Sequence, residues 1–123
     1  MKLSKNFHLS EFDCKDGSEL PSALFPNLLK LSENLQVLRD YLGVPITINS
    51  AYRSLEHNRK IGGALKSQHL LAKAADIVVE GKTPEQVEHV IKYLISVGKM
   101  TQGGLKAYDT FTHYDVRGYK SRW

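Results

Sequence analysis

A chain of 123 residues has the size of one domain and is long enough for a hydrophobic core without disulfide or metal staples. With 41% hydrophobic and 24% charged residues, the composition is that of an ordinary globular protein, and no apolar run reaches the length of a membrane-spanning helix. The net charge of +4 comes from scattered Lys and Arg. That pattern argues against nucleic acid and leaves a polyanionic partner or a plain solubilising surface. Cys14 is the only cysteine, which excludes an internal disulfide and a zinc site built from cysteines, and leaves a buried or idle thiol. Met1 to His8 has a basic start but no apolar segment after it, so no secretory signal is expected.

No repeat, low-complexity segment or linker divides the chain, and residues 1–123 are expected to form a single domain. From Pro26 to Gly43, Leu28, Leu31, Leu35, Leu38 and Leu42 recur at steps of three and four, one face of an amphipathic helix that Gly43 stops. Pro45 to Asn49 reads as a short strand from its β-branched alternation. Ser54 to Lys60 reads as a short helix capped by Ser54 and closed by Gly62-Gly63. Asp76 to Val79 is a β-branched run and predicts a buried strand. Thr83, Pro84 and Gln86 then make a capping box with proline in the first turn. The helix they start carries Val87, Val90, Ile91, Leu94 and Ile95 on its buried stripe and ends at Gly98. Two final strands, Gly104 to Tyr108 and Phe111 to Arg117, are joined by a turn at Asp109-Thr110. The whole predicts an α+β domain, a small antiparallel sheet flanked by helices.

His69 and Asp76 are seven residues apart. A continuous helix would stack them two turns apart on one face, but the β-branched run after Asp76 favours a loop carrying His69 folded back beside a strand carrying Asp76. In the last strand, alternation places Phe111, His113, Asp115 and Arg117 on one face and Thr112, Tyr114 and Val116 on the other. Ionisable groups on one face are a poor choice for packing and a good one for the wall of a cleft. Two imidazoles and a carboxylate form a common ligand set for a zinc ion that keeps its fourth position for water. Taken singly, each of these residues is more often a surface or hydrogen-bonded group. His8, His57 and His89 lack such a context and read as surface residues. Asp76 lies between Ala74-Ala75 and Ile77-Val78-Val79, so its carboxylate is expected to be partly buried and to need a partner, a cation or Arg53.

Ser67-x-His69-x-x-Ala72-x-Ala74-x-Asp76 resembles the Ser-x-His-x-x-Gly-x-Ala-x-Asp metal motif of the zinc D-Ala-D-Ala carboxypeptidase family, which belongs with the hedgehog-type and lysostaphin-type metallopeptidases. Ser50-Ala51-Tyr52-Arg53-Ser54 resembles the family's Ser-Gly-Tyr-Arg-Ser segment at the expected distance from His69. His113 to Gly118, with Arg122-Trp123, is similar to a compact branch common in phage and bacterial genomes, and Phe7 to Phe12 is similar to the family's N-terminal segment. The resemblance covers nearly the whole chain.

It implies a hedgehog or D-Ala-D-Ala peptidase-like fold and a Zn2+ held by His69, Asp76 and His113, which lowers the pKa of its water to about 7. It implies that Arg53 polarises the scissile carbonyl or holds the substrate's terminal carboxylate, and that Ser67 supports the His69 loop or the substrate. The substrate implied is a peptide bond in peptidoglycan stem peptides, cut as a carboxypeptidase or an endolysin-like endopeptidase. A monomer made in the cytoplasm would reach that substrate after release or phage-assisted lysis. A cell-wall-binding module of the same fold without hydrolysis is the alternative. The chain departs from the motif at two points. Thr110 stands where many members carry an acid three residues before the last zinc-binding His. Asp115 is therefore the first choice as general base and Asp109 the second, while Asp115 can also orient His113 or pair with Arg117. Ala72 replaces the motif's glycine, a mild strain if the loop needs a positive φ there.

Overall fold

The computed structural model describes residues 1–123. It opens with a hairpin of β1 (Lys2–Ser4) and β2 (Phe7–His8), which the sequence does not announce because strands of three and two residues are too short to show a period of two. Next comes α1 (Phe25–Leu42), with proline in its first turn and Gly43 at its end in the left-handed region, φ 70°. Leu28, Leu31, Leu35 and Leu38 are buried as its periodicity predicts.

β3 (Ile46–Ser50) leads to the short α2 (Leu55–Lys60), where the Ser54 hydroxyl accepts a hydrogen bond from the His57 N–H at 3.1 Å. β4 (Ala74–Val79) starts two residues before the expected Asp76, because Ala74 and Ala75 already pair with Asp115 and Tyr114 on the neighbouring strand. α3 (Pro84–Ser96) carries both halves of the predicted capping box between Thr83 and Gln86.

The final hairpin is β5 (Leu105–Ala107) and β6 (Thr112–Asp115), each shorter than predicted. At the turn, the Tyr108 N–H bonds the Phe111 carbonyl, so these two residues close the loop rather than extend the strands. At the far end of β6 the Arg117 N–H turns back to the Asp115 carboxylate. No helix is long and apolar enough to cross a membrane.

β3, β4, β6 and β5 form one antiparallel sheet in that order. Residues directly opposite on antiparallel strands share a face, so the register separates two surfaces. Ile46, Ile48, Ala75, Ile77, Val79, Thr112, Tyr114 and Leu105 face the helices and join a continuous core with the leucines of α1 and with Val87, Ile91 and Leu94 of α3. Tyr114 ties the sheet to α1, since its hydroxyl donates to the Thr101 carbonyl at 2.7 Å and lies 3.2 Å from the Asn34 side chain. Burial and the nearby Asp115 charge push its pKa upward, so the phenol stays neutral. The opposite face carries Ser50, Asp76, His113 and Lys106 in one row across the four strands.

Candidate metal centre

Asp76 and His113 are direct cross-strand partners on β4 and β6, which fixes their side chains next to each other. His69 arrives from a single 3-10 turn, Gln68–Leu71, that runs into β4. Ser67 starts the turn, its hydroxyl accepting from the His69 N–H at 3.2 Å. Ala72 ends it at φ 56°, so the position does require the left-handed backbone that glycine adopts freely. The Arg53 N–H bonds the His69 carbonyl at 3.1 Å, joining this turn to the segment after β3.

The two imidazoles are held by different nitrogens. His69 Nδ1 donates to the Ala51 carbonyl at 2.6 Å, which leaves the Nε2 lone pair 3.3 Å from Asp76 Oδ1. His113 Nε2 donates to Asp115 Oδ2 at 2.8 Å, which leaves Nδ1 3.1 Å from the same Asp76 oxygen. His69 and Asp76 are 3% and 7% exposed, so water does not separate them. Three acceptor atoms facing one another in a buried site repel unless a proton or a cation sits among them. Burial works against the charged forms of both His113 and Asp76. Hydrogen bonds to Asp115 and Asp76 nevertheless raise His113 above its ordinary pKa, and those from His113 and His69 hold Asp76 well below the usual carboxylate range. The site is thus organised around positive charge at this point, and its nitrogen and oxygen donors suit a divalent metal ion.

Asp115 lies beneath His113 and is fully buried. One oxygen accepts from the Gly104 and Arg117 backbone N–H groups and from Arg117 Nε; the other accepts from His113 and from Arg117 Nη2 at 2.7 Å. Burial alone would raise its pKa, but the Arg117 and His113 bonds outweigh that and keep it ionised. Gly104 makes the arrangement possible, since a methyl group there would overlap the Asp115 carboxylate. The sequence offers no signal for that glycine, because its constraint comes from a residue eleven positions away.

Arg53 reaches the site, and burial lowers its pKa while the Asp76 charge opposes that change. Its Nη2 lies 3.3 Å from Asp76 Oδ2, its Nε donates to Ser50 and its Nη1 to Asn58. Arg53, one of the partners foreseen for Asp76, therefore sits at one carboxylate oxygen, and the two imidazole nitrogens sit at the other.

These groups floor a cleft of about 630 Å³, lined also by Lys66, Arg117, Tyr108, Phe111 and Trp123. Tyr108 and Phe111 stack at 4.7 Å, Trp123 Nε1 donates to the Tyr108 hydroxyl at 2.9 Å, and the Trp123 ring meets His113 edge-on at 5.1 Å. Asp76 is the one carboxylate lining the cleft. Asp109 is exposed on the turn outside it. His8 and His89 are exposed as expected, but His57 is half-buried beside Cys14 and Asp16, a grouping that spacing hides because His57 lies some forty residues from the other two.

A sheet that floors a cleft with a His–Asp–His donor set has the ligand arrangement of a metal-dependent hydrolase. The chain belongs to the peptidase M15 family, which it matches over residues 5–115. It is 40% identical over 66 residues to the zinc D-Ala-D-Ala carboxypeptidase of Streptomyces albus G, a stretch covering 53% of this chain and 26% of that protein. It thus spans about a quarter of the length of that curated relative. Among solved structures it is similar to the L-Ala D-Glu endopeptidase ChiX of Serratia marcescens, with a TM-score of 0.49 and 19% identity over 79% of this chain and 88% of that one.

Proposed function

We propose that this protein is a zinc-dependent peptidase acting on peptide bonds in peptidoglycan stem peptides. The observation that carries the reading is the convergence of His69 Nε2, Asp76 Oδ1 and His113 Nδ1 at the floor of an open cleft. When bound there, zinc supplies a Lewis acid and an activated water. Ala51 and Asp115 fix the two rings so that His69 Nε2 and His113 Nδ1 are the nitrogens that would hold the ion. Arg53 orients Asp76, and its remaining N–H groups serve a substrate carbonyl or carboxylate. Lys66 adds positive charge along a cleft suited to carboxylate-bearing stem peptides. The family and the name of the Streptomyces relative support the substrate class.

The general base is where this reading departs from the first expectation. Asp115 is buried with both oxygens engaged, so it supports His113 and does not take a proton from a cleft water. A second reading, a cell-wall-binding module without hydrolysis, draws on the absence of any free carboxylate in the cleft lining. Purified peptidoglycan digested with the zinc-loaded protein and analysed by mass spectrometry separates the two. Release of stem-peptide fragments, lost in His69→Ala, is the expected result and identifies the scissile bond. Intact substrate with zinc bound leaves the binding module, and protein that takes up no zinc sinks the peptidase reading.

A further inference from the structure

We propose that Cys14, Asp16 and His57 form a second, structural site for a zinc-like divalent cation, separate from the His69–Asp76–His113 centre. One donor atom from each of the three lies within 4.8 Å of the other two. They come from two distant segments: Cys14 and Asp16 from the loop after Phe12, and His57 from α2. Chance surface neighbours are common among acidic groups, but this set mixes a thiol, a carboxylate and an imidazole.

The surroundings favour ligation. Cys14 is buried, and the Ser54 N–H points at its sulfur at 3.3 Å. Ser54 Oγ also donates to Asp16 Oδ2 at 2.8 Å and accepts from the His57 N–H. One serine therefore contacts all three residues, His57 through its backbone. Asp16 is further fixed by the Ser18 N–H at 2.9 Å. Calcium and magnesium take oxygen ligands, whereas a thiolate with an imidazole selects zinc among the common divalent ions. Binding replaces the thiol proton, which leaves to solvent, and involves no change of oxidation state.

Asp16 is exposed, so the remaining coordination position opens to water. The ion would clamp the irregular loop to α2 at His57, four residues after Arg53. It would reinforce the Tyr52 N–H to Phe12 carbonyl bond that already joins these segments. A lone cysteine cannot build a thiolate-rich site, but a mixed donor set needs only one.

Cobalt(II) is the direct probe, because a sulfur-to-cobalt charge-transfer band can arise only from Cys14. The full chain loaded with cobalt is expected to show that band in the near ultraviolet and to hold one ion beyond that of the His69 centre. Cys14→Ser and His57→Ala should each remove the band and that extra ion with far-ultraviolet circular dichroism unchanged. His69→Ala should retain the band, so failure of the proposed peptidase centre reads out separately. Absence of the band in the unaltered chain, or its survival unchanged in His57→Ala, overturns the proposal.

Discussion

At the scale of single residues, His113 is held at both ring nitrogens, and the two holders differ in kind. Asp76 shares the position a metal ion would occupy, whereas Asp115 is fixed from below by Arg117 and Gly104. Asp115→Asn keeps the shape and removes the charge, so it is expected to weaken zinc binding by about 10–100-fold, the usual effect of losing a ligand's supporting partner. Titration with a zinc indicator checks this; unchanged zinc affinity with cleavage abolished would restore Asp115 as the base. Ala72 offers a second test. Its left-handed backbone costs about 1–2 kcal/mol, its buried methyl group contributes about 0.8 kcal/mol, and an added glycine loses about 0.4–1 kcal/mol through the unfolded chain. The effects nearly cancel, so Ala72→Gly should shift stability by less than about 1 kcal/mol in urea unfolding. A loss well beyond about 2 kcal/mol would show that the turn does not strain alanine.

At the scale of elements, legibility followed length and local chemistry. α1 and α3 are long enough for a period of 3.6 to emerge, and their caps are written in adjacent residues, so both helices could be read closely. The N-terminal hairpin is too short for a periodicity to show, and the 3-10 turn that carries His69 is tied to a distant segment through the Arg53 N–H. The site divides in the same way. Residue types and alternation were enough to bring His69, Asp76 and His113 forward. The Gly104–Asp115 contact and the aromatic wall depend on which strands become neighbours. Tyr114 shows how firmly those neighbours are joined. Tyr114→Phe would leave the half-buried Thr101 carbonyl without its partner and is expected to cost about 1–3 kcal/mol. Chemical denaturation measures it, and a neutral outcome would mean that the hydroxyl bridge does not secure the sheet to α1.

At the scale of the whole molecule, a metal ion that binds only the folded chain stabilises it by mass action. At a zinc concentration about 100 times the dissociation constant, the gain is about 2.7 kcal/mol. Chelation should therefore lower the thermal midpoint, and added zinc should restore it. A midpoint indifferent to chelator would mean that the ligand residues are already satisfied without an ion.

The sheet's division into a core face and a site face has a consequence for how the gene can vary. On β6 the two faces alternate residue by residue, Thr112 and Tyr114 inward, His113 and Asp115 outward. Point substitutions test one face at a time, but deleting a single codon within 112–115 would exchange them, sending an imidazole into the core and a tyrosine into the cleft. Length changes should accordingly be tolerated in the exposed Asp109-Thr110 turn and purged from the strand it leads into.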